Sequence, residues 1–241
     1  MLYKTKGVVL HTVPYNDKQI IVSMFTEVFG RASYIIINSK GKRTGVSRSL
    51  LAPLSILDME VDHANNRNIH HIREARLSTA THSIACNPVK NAVALFLSET
   101  LYRLLNEKEP DAALFNFLCN SIRYLEITET GIANFHIAFL FQLSDYLGIH
   151  PKSDTFRQNR YFDLLNGVFT DDIPSHSFIL NINESRVFGS LLRISYENMA
   201  LFSFSRGERT EIISHILDYY RLHIYNFPEI RSLAVLQELF N

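Results

Sequence analysis

Residues 19–38 read QIIVSMFTEVFGRASYIIIN, and this stretch contains two apolar runs on either side of the dipeptide Phe29-Gly30. The runs, residues 19–25 and 32–38, are rich in β-branched and aromatic side chains, and Phe29-Gly30 supplies turn-forming residues between them. The stretch therefore predicts two β-strands joined by a short turn. On either side of this stretch, the same pattern recurs in residues 6–13 (KGVVLHTV), 52–62 (APLSILDMEVD) and 69–77 (IHHIREARL).

Five short strands within 78 residues are about what a small closed barrel requires. The five-stranded oligonucleotide-binding (OB) barrel is the commonest such solution that also accommodates long loops, and an SH3-like barrel fits the pattern as well. We therefore predict a β-barrel domain over residues 1–78.

After residue 80 the apolar period changes from two to about 3.6, which predicts helices. A helix is expected from Pro88, followed by helices at 112–126, 132–147, 184–202, 208–224 and 232–240. Within residues 149–180 the stretch YFDLLNGVF (161–169) carries Asn166-Gly167 at its centre, which is a β-hairpin signal. We predict an α+β chain: a five-stranded barrel of the OB or SH3-like kind, then a mainly helical domain (79–241) with an inserted β-hairpin.

Composition describes an ordinary folded protein, with 46% hydrophobic and 20% charged residues among 241. The two cysteines, Cys86 and Cys119, form neither a disulfide framework nor a zinc ribbon, so a reducing cytoplasm is the expected setting. No stretch resembles an export signal or a membrane-spanning helix.

The net charge of zero conceals opposite charges on the two predicted domains. Residues 1–78 contain 11 Lys+Arg and 6 Asp+Glu, a net charge of +5, and residues 79–241 contain 13 and 18, a net charge of −5. Such an asymmetry suggests that the first domain contacts an anionic partner.

The positive charge is densest in NSKGKRTGVSRSL (residues 38–50), where glycines and serines separate four cations: Lys40, Lys42, Arg43 and Arg48. Such a pliable loop suits an irregular phosphate chain, with a solvated linker as the alternative. Lys18 and Arg31 flank the first hairpin and complete the predicted DNA-binding set. Four nearby rings are candidates for base stacking, although the last three are expected in the core: Tyr15, Phe25, Phe29 and Tyr34.

The sequence gives weaker support for a catalytic site or a metal site. Asp58, Glu60 and Asp62 alternate on one strand face, as in a two-metal nuclease, but the same spacing is typical of a half-buried strand with its acids in water. His82 and Cys86 stand at i and i+4 without two further zinc ligands. With no nucleophile elbow, P-loop or dinucleotide turn, we predict no catalytic residues, no metal and no cofactor.

In order along the chain, KGVVL, PYNDKQIIVSMFTEVFGR and NSKGKRTGVSRSLLAPLSILDMEV resemble the N-terminal domain of the RecO family of bacterial recombination mediators. DYLGIHP (145–151) and IRSLAVLQEL (230–239) resemble landmarks of its helical part. The resemblance implies an OB-fold barrel whose basic segment falls on Lys40, Lys42, Arg43 and Arg48. It also implies binding of single- and double-stranded DNA, strand annealing, and RecA loading with RecR on strands covered by single-stranded-DNA-binding protein.

The chain departs from that family at one place. Many RecO proteins carry two C-x-x-C pairs that form a zinc module after the Leu-Gly…Pro landmark, whereas residues 151–174 contain no cysteine. We expect apolar packing of four aromatic residues to replace the metal: Phe156, Tyr161, Phe162 and Phe169.

The sequence thus predicts a cytoplasmic, nucleoid-associated DNA repair mediator that is not an enzyme. Two alternatives remain open: a protein-interaction adaptor whose barrel binds an acidic peptide, and a metal-dependent nuclease built on the acids of residues 58–62.

Overall fold

The computed structural model describes residues 1–37, 47–64, 67–106 and 109–239. The strands are β1 (Leu2–Asn16), β2 (Gln19–Thr26), β3 (Gly30–Ile37), β4 (Ile56–Asp62), β5 (Ile69–Leu77), β6 (Tyr161–Asp163), β7 (Val168–Thr170) and β8 (Ile179–Leu180). The α-helices are α1 (His82–Cys86), α2 (Pro88–Leu104), α3 (Ala112–Ile127), α4 (Ile132–Tyr146), α5 (Ile182–Ser190), α6 (Arg206–His223) and α7 (Ser232–Leu239). Within these ranges no helix is both long and apolar enough to cross a membrane.

Strands β1 to β5 form a closed barrel in the order β1-β2-β3-β5-β4, with β3 and β5 parallel and every other pair antiparallel. This architecture confirms the predicted fold class, an OB-type barrel followed by helices with an inserted hairpin. Alternate residues of the strands fill the barrel, and the core includes Val22, Tyr34 and Val61, each 0% exposed.

The long strand β1 closes the barrel because it pairs with two neighbours. Its first half pairs with β4, most of it pairs with β2, and an extra residue at Leu10 forms a bulge that bends the strand between them. Gly7 takes part in both pairings, and a Cβ there would lie 2.7 Å from the Met59 methyl group and 3.0 Å from that of Met24. A side chain at this glycine of the KGVVL motif would therefore have to displace two methionine methyl groups inside the barrel.

The described residues pack into two compact units. The first comprises Met1–Ile127 together with Ile230–Leu239, and the second comprises Thr128–Glu229. In the first unit the barrel packs with α2, and α2 also contacts α7 from the far end of the chain. This grouping differs from a division at residue 78, and the domain boundaries 1–78 and 79–241 stay a prediction of the sequence.

The second unit contains α4, α5, α6 and a three-stranded sheet in the order β7-β6-β8. The predicted hairpin is present, because β6 and β7 are antiparallel and Gly167 adopts a φ of 66° in the turn between them. A single helix over residues 184–202 is wrong: α5 ends at Ser190, and the following residues form short 3-10 turns, Leu191–Arg193 and Met199–Leu201.

The interruption of that helix has a local cause. The Asn198 side chain accepts a hydrogen bond from the Ser195 amide (2.8 Å) and donates one to the Arg193 carbonyl (2.7 Å). These bonds satisfy backbone groups that a continuous helix would pair internally, so the chain turns instead.

Candidate nucleic-acid interface

Two of the predicted DNA-binding cations lie at one end of the barrel, which we call the loop end. It is defined by the turn between β1 and β2 (Asp17, Lys18) and by Ile37, the last residue of β3. The strand register brings these together, because Asn16 pairs with Gln19 and Gln19 pairs with Ile37.

The turn that carries Lys18 is ordered by its neighbours. The Asn16 side chain accepts a hydrogen bond from the Lys18 amide (3.0 Å) and donates one to the Gln19 side chain (2.8 Å). Asn16 thus fixes the turn locally, as Asn commonly does. The Lys18 side chain is exposed, so its ammonium group is available to an anion.

Arg48 lies at the same end of the barrel. It begins the 3-10 turn Arg48–Leu51, and it lines a shallow cavity of about 190 Å³ together with Pro14 of β1 and Ile20 of β2. Ser47 precedes this turn and its hydroxyl accepts a hydrogen bond from the Ser49 amide (3.4 Å). Arg48 is exposed and therefore accessible to a ligand.

Lys40, Lys42 and Arg43 lie outside the described residues. The described positions on either side of them are Ile37 and Ser47, and the strand register and the Arg48 cavity place both at the loop end. DNA binding by these three cations stays a prediction of the sequence.

Arg31 is not brought together with the other cations. It follows the turn between β2 and β3 and pairs with Phe25, six residues before Ile37 along β3. At about 3.3 Å per residue, that separation is roughly 20 Å.

The Arg31 guanidinium is engaged by helix α2. It donates to the carbonyl oxygens of Tyr102 and Leu105, both at 3.0 Å, and lies 4.3 Å from the centre of the Tyr102 ring. Burial lowers the pKa of Arg31. A cation that binds the last carbonyls of a helix stabilises the helix end, so the structure gives Arg31 a packing role that its sequence position did not suggest.

The four rings that are candidates for base stacking differ in how far the structure exposes them. Phe25 and Tyr34 are 2% and 0% exposed, and Phe29 is half-buried, with its ring stacked 3.8 Å from that of His63. Tyr15 is different, because it is 62% exposed in the last part of β1, next to the loop end. Val13 and Ile37, at 45% and 56% exposed, add apolar surface there.

The three acids of β4 face solvent, while Leu57, Met59 and Val61 alternate with them in the core. Asp62 pairs with the N-terminal ammonium (3.2 Å) and with Arg73 (3.6 Å), and Asp58 pairs with Arg76 (3.5 Å). The geometry is that of a solvated strand face on which Asp58 and Asp62 are paired with cations.

No potential metal centre emerges from the described part of the chain, where no three His, Cys, Asp or Glu residues converge. The Cys86 thiol lies 3.6 Å from the His82 ring without a third ligand nearby. The hairpin region does not fit zinc either, since aromatic rings occupy it: Phe162 is fully buried with its ring centre 4.7 Å from that of Phe169 and 4.5 Å from that of Phe188.

Comparison with known proteins identifies the family. The model for the Recombination protein O N terminal region matches residues 1–80, and the model for its C terminal region matches residues 87–233. Proteins named DNA repair protein RecO are 41% identical in Azobacteroides pseudotrichonymphae over 241 residues, 41% in Bacteroides fragilis over 242 and 36% in Porphyromonas gingivalis over 245. Each alignment covers 100% of this chain and 100% of the relative. The chain therefore belongs to the RecO family.

Proposed function

We propose that this protein is a DNA repair and recombination mediator of the bacterial cytoplasm that binds single- and double-stranded DNA at the loop end of its barrel. Its RecO family membership and its relatives' name, DNA repair protein RecO, support the repair role. The family further suggests strand annealing, cooperation with RecR and single-stranded-DNA-binding protein, and loading of RecA.

The observation that carries the proposal is the clustering of cations at the loop end. Lys18 and Arg48 are exposed there, and Lys40, Lys42 and Arg43 lie in the sequence between Ile37 and Ser47, two described residues of that end. Exposed cations at one end of a barrel provide a surface that attracts phosphates.

The mechanism follows from the electrostatics of nucleic acids. Two strands repel each other through their phosphates, and cations that neutralise some of those phosphates release condensed counterions and reduce the repulsion. Complementary bases held on one protein surface at raised local concentration then pair. This mechanism requires no bond to be made or broken by the protein.

The test replaces the four loop cations Lys40, Lys42, Arg43 and Arg48 with Ala in the full chain. If each neutralises about one phosphate, together they contribute roughly −3 to the slope of log affinity against log salt on single strands. We expect the variant to lose most of that slope and at least about tenfold of its low-salt affinity for a fluorescent oligothymidylate. Its thermal unfolding should be unchanged, because exposed loop cations contribute little to stability.

A matched control removes the same charge elsewhere in the first unit. Lys4, Arg67, Arg73 and Arg123 are exposed, none lies at the loop end, and their replacement with Ala should leave affinity close to that of the wild type. An unchanged affinity and salt slope in the loop variant would disprove the proposed site. If the loop variant keeps DNA binding but loses an acidic peptide, the protein is an adaptor.

A further inference from the structure

The second unit contains a groove of about 630 Å³ that the proposed DNA site does not use. Four arginines line it: Arg157 and Arg160, between α4 and β6, and Arg186 and Arg193, on α5 and the turn after it. The volume lies within the range of ligand-binding clefts, about 300–1,000 Å³.

The charge of this groove is opposite to that of the unit around it. Residues 128–229 contain 8 Lys+Arg and 12 Asp+Glu, a net charge of −4, yet four of the eight cations line the groove and no acid does. Such a concentration of one sign in a concave site focuses the field and attracts anions.

Two of the four arginines make hydrogen bonds within the protein and two do not. Arg160 pairs with Asp171 through two hydrogen bonds of 3.0 and 2.6 Å, and Arg157 donates to backbone carbonyls. Within the described ranges, neither the Arg186 nor the Arg193 guanidinium has a hydrogen bond or an ion pair, and both side chains are exposed. These two can therefore receive a ligand without breaking an internal contact.

The groove has an apolar floor. The Phe156 ring lies directly against Gly189 of α5, where any Cβ would overlap the ring, and Ile182 and Phe202 extend the apolar surface. The amide side chains of Gln158 and Asn159 are exposed on the rim. The lining thus combines unpaired guanidinium groups, an aromatic ring and primary amides.

We propose that this groove binds single-stranded DNA as a second strand site, an inference that rests on the proposed annealing function. Arg186 and Arg193 contact phosphates, a base lies on the Phe156 floor, and the rim amides bond base edges. An arginine guanidinium can form two parallel hydrogen bonds to a phosphate, and an aromatic ring can stack on a base. Asn and Gln amides can both donate hydrogen bonds to base edges and accept them. An acidic peptide would use the arginines but not this combination, and annealing requires that a second strand also be neutralised.

The experiment starts from the loop variant, in which Lys40, Lys42, Arg43 and Arg48 are Ala, so that residual binding reports other sites. Adding Arg186→Ala and Arg193→Ala should lower its low-salt affinity for fluorescent oligothymidylate by at least about tenfold and remove about 1.4 from the salt slope. In the otherwise wild-type chain the same pair should slow annealing of complementary oligonucleotides while the barrel site still binds one strand.

The control pair is Lys152→Ala with Arg206→Ala, which removes the same charge from exposed positions of the same unit outside the groove. This pair should change neither binding nor annealing. The inference is overturned if the loop variant retains no binding of single strands, or if the groove pair binds and anneals as its parent does. It is also overturned if the groove pair no longer binds a fluorescent acidic nonapeptide containing one Phe while its DNA binding is unchanged. A groove that binds free dTMP but no oligothymidylate would overturn it as well. Failure of the proposed function gives a different result, because the loop variant by itself would then bind DNA with the affinity of the wild type.

Discussion

At the residue scale, Arg31 shows that a cation near a basic loop in sequence can serve the fold instead. Its two hydrogen bonds to the α2 carbonyls and its position over the Tyr102 ring hold α2 against the barrel. Arg48 differs from Arg31 in its exposure, because it lies at the loop end beside a shallow cavity with its side chain in solvent. The two arginines therefore make different predictions on substitution.

We expect Arg31→Ala to lower the free energy of unfolding by about 1–3 kcal/mol, because two partly buried carbonyls lose a charged donor. Arg31→Lys should lie between wild type and Ala, since it keeps the charge but loses the planar fork. Urea unfolding followed by circular dichroism measures both. Arg48→Ala is the comparison, and it should reduce DNA affinity with unchanged stability. Equal stability of the Arg31→Ala variant and wild type would contradict the packing role.

Tyr15 is the candidate ring that the structure leaves exposed beside the loop end, at 62%. We expect Tyr15→Ala to weaken single-strand binding by about 1–3 kcal/mol, as for a base-stacking ring, and Tyr15→Phe to retain most of it. Fluorescence anisotropy with oligothymidylate measures the affinity. Tyr225, which is 91% exposed in the second unit, provides the control, and its replacement with Ala should have no effect. If Tyr15→Ala binds normally, the strand does not reach this part of β1.

At the element scale, the β6–β7 hairpin forms within residues 151–174, which contain no cysteine. Phe162 is 0% exposed, and its ring packs against those of Phe169 and Phe188. The Ser185 hydroxyl accepts a hydrogen bond from the Phe162 amide at 2.7 Å and ties the hairpin to α5. Apolar packing and this hydrogen bond thus hold the hairpin against α5.

We expect the purified protein to contain no stoichiometric zinc and a chelator to leave its melting temperature unchanged. Phe162→Ala, in contrast, should cost about 3–5 kcal/mol of stability, because it empties a fully buried site. Elemental analysis and thermal unfolding with and without EDTA make the comparison. One zinc per chain, or a chelator-sensitive melting temperature, would show that the hairpin is stabilised by a metal.

Local patterns predicted most of these elements, because strand alternation, the Asn166-Gly167 turn and the Pro88 helix start depend on neighbouring residues. The helix expected over 184–202 failed where the Asn198 side chain replaced helical hydrogen bonds, a competition that apolar periodicity does not reveal. Of the candidate DNA-binding residues, Lys18 and Arg48 share the loop end, whereas Arg31 is separated from them by strand register, which the sequence alone did not fix. Their binding of DNA stays a prediction.

At the scale of the whole molecule, a helix near the end of the sequence packs on a much earlier helix of the same compact unit. Helix α7 packs on α2, and Ile230 and Leu236 are 6% and 1% exposed. The Glu99 carboxylate of α2 accepts hydrogen bonds from the amides of Arg231 (3.2 Å) and Ser232 (2.8 Å). A carboxylate at the start of a helix satisfies amides that lack partners and interacts well with the helix dipole. No local pattern in the sequence indicates a contact over more than 130 residues.

The Glu99 contact makes stability depend on pH. Burial acts to raise the pKa of Glu99, but the hydrogen bonds from Ser232 and Arg231 and the nearby Arg103 charge outweigh it, so the pKa falls below the ordinary value of 4.5. A carboxylate with a lowered pKa in the folded state stabilises the protein fully above its unfolded pKa, and this contribution is lost as the pH falls through the folded pKa.

We therefore expect Glu99→Gln to reduce the free energy of unfolding at pH 7 by about 1–3 kcal/mol, because α7 loses a charged acceptor at its first amides. The difference from wild type should shrink as the pH falls below 4.5, where the wild-type carboxylate becomes protonated and loses the same advantage. Urea unfolding of both proteins between pH 3 and pH 7 measures it. Glu129→Gln, an exposed substitution in the second unit, should show no such pH-dependent difference. A Glu99→Gln deficit that stays constant across this pH range would mean that the charge of Glu99 does not hold α7 against α2.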